Sequence, residues 1–203
     1  MSNSDFDLTQ QNQNIDRKIV ATLERVTHAF RVLLWQESKV HALSPIQVQI
    51  LIFLRYHDVD KCKVSYLAKE FNITKATISD SVMSLEQKEL ITKEYLQQDA
   101  RSYCIILTKR GRQIAEKTSV YTNEARKPIQ KMSDDDKEKL LTGLLATIRH
   151  LNESGVISIQ RMCQTCRFYE SDKAKDAHYC NLLKEPLTPV DHRLDCPEHE
   201  LLV

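Results

Sequence analysis

Four cysteines lie within the last forty-one residues of this 203-residue chain, at Cys163, Cys166, Cys180 and Cys196. Two thiolates separated by two residues can coordinate one metal ion, and two further thiolates complete a tetrahedral site. The sequence therefore predicts a metal site made of four cysteines. Structural zinc is the leading occupant, because the spacing suits a closed site. An iron–sulfur cluster is the alternative, because all four ligands are cysteine and a proline follows the last one.

The segment around these cysteines is poor in large apolar residues and has three histidines, each of which could replace one thiolate: His178, His192 and His199. A segment this small usually needs a bound ion to stay folded, so we expect residues 160–203 to form a C-terminal metal-binding module. Two alternatives are a metalloenzyme and a module that binds a partner regulator. We predict that the protein is not an enzyme, since four thiolates leave no open coordination position and neither paired carboxylates nor a nucleophile motif accompanies them.

A second candidate site lies between residues 64 and 111, where the sequence has the pattern of a helix-turn-helix. Apolar residues at helical spacing predict a short helix over residues 65–71. Asn72 tolerates a left-handed turn, and Thr74 can cap a second helix over residues 75–89. Short polar side chains on the exposed face of such a helix are what a reader of the DNA major groove needs.

The predicted DNA contacts divide by chemistry. Lys75 should contact phosphate, whereas Thr77, Ser79 and Asp80 should reach base edges. The complete predicted set is Thr74, Lys75, Thr77, Ser79, Asp80, Lys93, Asp99, Arg101 and Ser102. The alternative interpretation is an amphipathic helix whose polar face is only solvated.

A β-hairpin should follow the second helix. Residues 90–96 and 102–107 have the composition of strands, and residues 97–101 that of a turn. A helix-turn-helix followed by a hairpin with a cation at its tip is a winged helix. Arg101 suits the negative potential of a narrow minor groove. The alternative is an exposed ion pair between Asp99 and Arg101, which would contribute little stability.

The sequence of this stretch resembles the multiple-antibiotic-resistance regulator (MarR) family. The matching phrases are Leu67-Ala68, Thr74-Lys75-Ala76-Thr77-Ile78-Ser79, Leu85-Glu86-Gln87-Lys88, Asp99-Ala100-Arg101-Ser102 and Leu107-Thr108-Lys109-Arg110-Gly111. The resemblance implies a winged-helix transcriptional regulator, most often a repressor, that docks as a homodimer on a pseudo-palindromic operator. It also implies that Asp99 orients Arg101 in the minor groove. Two positions depart from the family pattern: Asp80, where many relatives have a cation, and Glu89, where relatives often have glycine.

The resemblance also bears on what such a regulator senses. Family members often bind small aromatic acids between the dimer base and the winged domain, which implies a small-molecule effector. Residues that could reach such a crevice are His28, Arg31, Trp35 and Tyr56. Some relatives switch by thiol oxidation, but neither Cys62 nor Cys104 has a sequence signature for a lowered pKa. We interpret both as structural thiols.

The predicted fold class is mainly α with a small β-hairpin wing: a winged helix-turn-helix plus a helical dimerisation region. We expect a disordered tail over residues 1–14 and a DNA-binding and dimerisation domain over residues 15–155, followed by the metal-binding module. Helices within the domain are predicted over residues 15–40, 46–56 and 110–127, and from 133 onwards. In the family, the first of these helices and the last two interlock with those of a partner. The alternative is that they only complete the core of a monomer.

Charge is unevenly distributed along the chain, whose net charge is only +1. Residues 61–112 carry ten Lys and Arg against six Asp and Glu, whereas residues 163–203 carry five against eight. The positive charge of a DNA-binding region and the negative charge of an acidic tail would cancel in this way, which leaves a net charge close to zero. The sequence has neither a recognisable targeting segment nor an apolar run long enough to cross a bilayer. We therefore expect a soluble cytoplasmic protein with reduced cysteines.

Overall fold

A helical winged core and a small C-terminal sheet position the candidate sites. The structure is a computed structural model that describes residues 4–96, 99–172 and 177–202. Its helices are α1 (Leu8–Gln13), α2 (Ile15–Val40), α3 (Pro45–Tyr56), α4 (Val64–Glu70), α5 (Lys75–Gln87), α6 (Lys109–Thr118), α7 (Asn123–Gln130) and α8 (Asp134–Glu153). Its strands are β1 (Ile91–Leu96), β2 (Asp99–Leu107), β3 (Tyr169–Asp172), β4 (Ala177–Cys180) and β5 (Glu185–Leu187). This confirms the predicted fold class.

The N-terminal segment contains a short helix where the sequence predicted a disordered tail. The Asp7 carboxylate accepts hydrogen bonds from the backbone N–H groups of Thr9 and Gln10, at 3.0 and 3.3 Å, and so caps α1. Asn14 caps α2 in the same way. These caps supply local order that the polar composition did not indicate. Residues 1–3 lie outside the described part of the chain.

Helix α3 forms the centre of the winged core. It begins with a capping box, in which the side chains of Ser44 and Gln47 each accept from the other residue's backbone N–H. Because α3 is apolar on nearly every side, it can pack against α2, α5, α6 and β2 at once. Val48, Ile50 and Leu51 are accordingly 0% exposed.

Helices α4 and α5 form the predicted helix-turn-helix. Asn72 adopts a φ of 52° in the turn, and the Thr74 hydroxyl accepts from the Thr77 N–H at 3.1 Å to cap α5. The helix ends at Gln87, two residues earlier than predicted, since Glu89 adopts a left-handed φ of 56°. The buried face of α5 consists of Ile78, Ser81, Val82 and Leu85.

Strands β1 and β2 form the wing as an antiparallel pair. Ile91 lies opposite Leu107, and the pairing continues to Leu96 opposite Asp99, with a register shift after Tyr95. Strand β2 begins at Asp99, earlier than predicted, because the shifted register extends the pairing toward the tip. The backbone of Asp99 and Arg101 therefore lies in the strand, not in the turn. Residues 97–98 are outside the described ranges.

The prediction of one helix over residues 110–127 was wrong, since α6 and α7 divide this stretch. The Thr118 hydroxyl donates to the Ile114 carbonyl at 2.9 Å, and the Ser119 hydroxyl donates to a carbonyl one turn back at 2.8 Å. Side-chain bonds of this kind compete with helix continuation. Pro128 lies inside α7 instead of following it. Because Pro128 is close to the end of α7, its missing N–H affects only the last turn.

Helix α8 leads into the C-terminal module. The Ser133 hydroxyl caps it by accepting from the Asp136 N–H at 3.2 Å, and Gly155, with a φ of 76°, follows its end. Beyond this point β3, β4 and β5 form an antiparallel sheet in that order. Cys180, the last residue of β4, lies opposite Tyr169 of β3 and Glu185 of β5.

Candidate nucleic-acid interface and cysteine cavity

The outward face of α5 is polar and exposed, as predicted. The exposed residues on it are Thr74, Lys75, Thr77, Ser79 and Asp80. Ile78, which lies between them in sequence, is 0% exposed. The hydroxyls of Thr74 and Thr77 lie 2.8 Å apart and hydrogen-bond to each other. Thr74 is therefore a structural cap as well as a candidate DNA contact.

On the wing, Lys93 is held by α5. Its Nζ lies 2.5 Å from Glu86 Oε2. The hydrogen bond to Glu86 raises the pKa of Lys93, so the ammonium group stays charged. Lys93 would have to exchange Glu86 for phosphate in order to contact DNA. Ser102 is half-buried in β2, and the side chains of residues 96–101, Asp99 and Arg101 among them, lie outside the described part of the molecule.

The wing and α5 are fixed to each other at the start of α6. Gly111 packs so closely that a Cβ atom there would lie 1.9 Å from the Leu90 carbonyl oxygen. The Thr108 hydroxyl accepts from the Gly111 N–H at 3.0 Å and donates to the Glu89 carbonyl at 2.9 Å. Backbone contacts around Leu90 thus set how α5 lies relative to the wing.

The four predicted metal ligands line one cavity, which we call the cysteine cavity. Cys163 begins a short 3-10 turn and Cys166 directly follows it, while Cys180 ends β4 and Cys196 lies in the final loop. The remaining wall is formed by Phe168, Tyr169, Leu182, Leu183, Leu187, Asp191, Arg193 and Glu198. The fold therefore brings together thiols from three separate parts of the module, on a largely apolar wall.

Arg193 donates hydrogen bonds to two of these sulfurs. Its backbone N–H lies 3.2 Å from Cys163 Sγ, and its guanidinium Nη1 lies 3.6 Å from Cys196 Sγ. Burial raises the pKa of the Cys163 thiol, which favours the neutral form in the absence of a cation. Among the described residues, no group of three or more His, Cys, Asp or Glu side chains is arranged to hold a metal ion.

The three histidines considered as substitute ligands are not among the residues that line the cysteine cavity. One ring nitrogen of His178 lies 2.7 Å from the Tyr169 hydroxyl, and one of His192 lies 3.4 Å from the side-chain amide nitrogen of Gln164. One ring nitrogen of His199 lies 3.0 Å from the Thr165 hydroxyl. The second ring nitrogen of His192, Nε2, is buried and has no hydrogen-bond partner among the described residues.

Arg161, which no sequence pattern singled out, is only 8% exposed and joins the C-terminal module to the helix-turn-helix. Its guanidinium donates to Glu70 of α4 at 2.7 and 3.1 Å, and also to Asp195. The Tyr66 hydroxyl accepts from the same group at 2.9 Å, and His57 Nε2 lies 2.8 Å from Asp195 Oδ2. We call these five residues the Arg161 junction. No local pattern indicates them, because they come from four distant parts of the chain.

The Arg161 junction is continuous with the wall of the cysteine cavity. Asp195 directly precedes Cys196, whose N–H donates to the Arg161 carbonyl at 2.9 Å. A second contact reaches the turn before α5, where the Ser158 hydroxyl donates to Asn72 Oδ1 at 3.1 Å. The module therefore contacts the first helix of the helix-turn-helix, and the segment that leads into the module contacts the turn.

Cys62 and Cys104 are buried in the winged region of the molecule. They are 2% and 7% exposed. Burial and the neighbouring Cys104 raise the pKa of Cys62 to about 11. A thiol that is both buried and rarely ionised is a poor redox sensor, which supports the structural interpretation.

Helices α2 and α8 leave apolar side chains uncovered. Only two of the 26 residues of α2 and one of the 20 residues of α8 are buried. An open groove between the two helices is lined by Ile15, Lys18, Ile19, Thr22 and Leu23 of α2 and by Lys139, Leu140, Gly143, Leu144 and Thr147 of α8. None of the helices in the described ranges is both long and apolar enough to cross a membrane.

A second groove lies between α2 and the start of α3. Among the residues that line it are His28, Arg31 and Trp35. Three of the four residues considered for an effector crevice therefore share one surface. Tyr56 is not part of this groove, and its hydroxyl lies 3.3 Å from the Ser119 hydroxyl.

Comparison with known proteins connects the winged core to one family. Residues 42–102 match the model of the MarR family. The MarR match covers α3, the helix-turn-helix and the first part of the wing, which is less than a third of the chain, and it ends well before the cysteine cavity. The comparison with curated proteins gives no significant match.

Several solved structures share the fold. The MepR–DNA complex of Staphylococcus aureus has 23% identity and a TM-score of 0.57, with 65% of this chain and 97% of MepR covered. AbsC, a MarR family transcriptional regulator from Streptomyces coelicolor, has 20% identity and a TM-score of 0.57, with 69% and 97% covered. A MarR transcriptional regulator from Methanosarcina mazei Go1 has 15% identity and a TM-score of 0.56, with 65% and 94% covered. At these identities the likeness establishes the fold.

Proposed function

We propose that this protein is a DNA-binding transcriptional regulator of the MarR type, acting in the cytoplasm as a repressor. The observation that carries the proposal is the open polar face of α5, fixed to a wing by the contact between Gly111 and Leu90. The MarR match over residues 42–102 supports it, as does the similar fold of MepR, which was crystallised with DNA. In this proposal α5 enters a major groove and the wing places Arg101 in the adjacent minor groove.

The proposed contacts are tested on a duplex selected from a random pool. Lys75→Ala should weaken binding to all sequences and reduce the salt slope by about one. Ser79→Ala should relax sequence preference, and Arg101→Ala should weaken binding at both half-sites. Lys127→Ala is the control, because Lys127 lies on α7 and pairs with Glu124 at 2.5 Å. Wild-type affinity in the first three variants would contradict the assigned interface.

The regulator is proposed to work as a homodimer. The groove between α2 and α8 exposes apolar residues such as Ile19, which is 52% exposed, and a partner's helices would remove that surface from water. Two-fold symmetry would then place two copies of α5 about 34–36 Å apart, one turn of DNA. A pseudo-palindromic operator is the matching DNA.

A small aromatic acid is the proposed effector, bound in the groove that contains Arg31 and Trp35. A carboxylate could pair with the guanidinium while the ring packs on the indole. Because the chain has a single tryptophan, its fluorescence reports on this groove alone. Saturable quenching by benzoate in the wild type, lost in Arg31→Ala, is the expected result. Absence of saturable quenching would contradict the site.

We also propose that Cys163, Cys166, Cys180 and Cys196 bind a metal centre that stabilises the C-terminal module. The shared cavity supports this, since each thiol contributes to the same wall. Folding of a small segment is commonly coupled to metal binding, because the unfolded chain has no preformed site. Zinc and an iron–sulfur cluster both satisfy a four-cysteine site.

A further inference from the structure

We propose that the C-terminal module regulates DNA binding, with the metal bound by the four cysteines as its signal and the Arg161 junction as its connection to the helix-turn-helix. This inference rests on the proposed regulator and on the proposed metal site, and it applies to zinc and to an iron–sulfur cluster alike. Three features support it: the backbone that the junction shares with two of the cysteines, the contacts that it makes next to α5, and the burial of its charges.

On the module side, the Arg161 junction shares its backbone with two of the candidate ligands. Arg161 lies two residues before Cys163, and Asp195 lies directly before Cys196. Arg161 and Asp195 form a parallel β-bridge, and the Cys196 N–H donates to the Arg161 carbonyl at 2.9 Å. The Cys163 N–H donates to the Arg193 carbonyl at 3.1 Å. A metal that orders these two sulfurs therefore also orders the backbone of Arg161 and Asp195.

On the core side, the contacts lie at the end of α4 and in the turn that follows it. Glu70, the last residue of α4, accepts from the Arg161 guanidinium at 2.7 and 3.1 Å. The Asn72 side chain accepts from the Ser158 hydroxyl at 3.1 Å and donates to the Val156 carbonyl at 3.5 Å. Helix α5 begins three residues after Asn72. These contacts therefore support the turn that sets the direction of α5.

A further contact holds the end of α3. His57 directly follows α3, and its Nε2 lies 2.8 Å from Asp195 Oδ2. The His57 ring stacks on Phe53, with 3.8 Å between the ring centroids, and Phe53 belongs to the core of the winged region. Asp195 thus binds both Arg161 and the residue at the end of α3, so that a displacement of Asp195 changes the support of two helices.

The burial of its charges makes the junction sensitive to the state of the module. Arg161 is only 8% exposed, and a buried cation that loses a carboxylate partner is left with uncompensated charge. A small segment loosens without its metal, because the bound ion supplies much of its folding free energy. We expect Asp195 to withdraw when the metal is removed, which deprives the end of α4 of a fixed partner. Ordering α5 on DNA would then cost free energy and lower the affinity.

The test compares the operator affinity of the full-length protein with the cysteine cavity filled and emptied. Metal analysis of protein purified without air identifies the occupant, and the filled protein is loaded with one equivalent of zinc per chain or with ferrous iron and sulfide accordingly. The emptied protein is treated with 1,10-phenanthroline under reducing, air-free conditions, and the chelator is then dialysed away. Each form is titrated with the duplex selected from a random pool. The emptied form should bind at least about fivefold more weakly, the lower range of measured couplings between sites.

Glu70→Gln tests the junction itself, because it keeps the shape of the side chain and removes its charge. This variant should retain the metal, yet bring the ratio of the two affinities close to one. Tyr66→Phe removes only a hydroxyl that accepts from Arg161 at 2.9 Å, and it should lower the ratio as well. Glu116→Gln is the matched control, since it breaks the exposed pair with Arg55 at 2.8 Å and should keep the wild-type ratio.

Because coupling between sites is reciprocal, the operator should also hold the metal more tightly. In the zinc-loaded protein, competition with a chelator of known affinity should show that saturating operator duplex raises the affinity for zinc by the same factor. A scrambled duplex of equal length is the control and should have a smaller effect.

Equal affinities of the filled and emptied wild type, or tighter binding by the emptied form, would overturn the inference, whereas specific binding by either form would still support the proposed regulator. An unchanged ratio in both Glu70→Gln and Tyr66→Phe, with both variants folded by circular dichroism, would also overturn it. If the filled protein bound no duplex specifically, the proposed regulator would fail and this inference with it. If the protein bound neither zinc nor iron, the metal site would fail instead.

Discussion

At the residue scale, the most consequential side chain outside the proposed DNA-reading face is Arg161. It is a buried cation, with two carboxylates to balance its charge and a tyrosine hydroxyl to accept its remaining donor. Buried pairs of this kind contribute little net stability when intact, but leave uncompensated charge when one partner is removed. Their value lies in fixing one arrangement, here that of the module on the winged core.

Arg161→Ala should lower the free energy of unfolding by about 3 kcal/mol, the lower end for a broken buried pair, because Asp195 is partly open to water. Denaturant titration with the cysteine cavity in the same state measures this change. Arg149→Ala is the control, since Arg149 forms an exposed pair with Glu153 at 2.7 Å and its loss should have little effect. Equal effects of the two substitutions would show that the junction is not structurally important.

Cys62 should resist alkylation in the folded protein. With a pKa of about 11, raised mainly by burial, about one molecule in a thousand carries the thiolate at pH 8. Iodoacetamide at that pH, followed by mass spectrometry of peptides, should leave Cys62 unmodified until denaturant is added. Modification at the rate of a free thiol would instead restore the redox-sensing interpretation.

At the scale of elements, the joint between the wing and α6 depends on a glycine. Gly111→Ala would place a Cβ atom against the Leu90 carbonyl, so the helix or the wing must shift. We expect a loss of about 3 kcal/mol in the free energy of unfolding and weaker DNA binding. In contrast, Gln113→Ala changes an exposed side chain on the same helix and should leave the free energy of unfolding nearly unchanged. Thermal unfolding of both variants decides this, and a tolerated Gly111→Ala would contradict the close approach.

The elements with strong local signals were predictable from sequence, and the others were not. Helix α2 has a long apolar period, and Ser44 and Pro45 mark the start of α3 without ambiguity. The break after Thr118 was missed because side-chain hydrogen bonds, not a proline or glycine, end α6. The start of β2 depends on a register shift that no residue type announces.

In the candidate sites, too, some features were predictable from sequence and others were not. The polar face of α5 follows from helical periodicity, and the four cysteines follow from their spacing. The Arg161 junction could not be predicted, since its partners come together only when α3, α4 and the final loop have packed.

At the scale of the whole molecule, the proposed homodimer depends on the groove between α2 and α8. Ile19→Asp introduces a charge on the groove between them and should convert the dimer to a monomer, as measured by light scattering with size-exclusion chromatography. Gln36→Asp places the same charge at an already polar, exposed position on α2 and should leave the dimer intact. A monomeric wild type, or a dimeric Ile19→Asp, would show that this groove is not the interface.

Selection of bound duplexes from a random pool by the full-length protein tests the central claim most directly, because it presumes neither an operator nor an effector. A MarR-type regulator should enrich a two-fold symmetric sequence, with half-sites about one helical turn apart and an affinity that falls steeply with salt. Lys75→Ala should enrich the same sequence but bind it more weakly, because a phosphate contact contributes affinity without sequence preference. A pool that remains random after repeated rounds, or equal binding to every duplex, would contradict the assignment of α5 and the wing as a specific DNA reader.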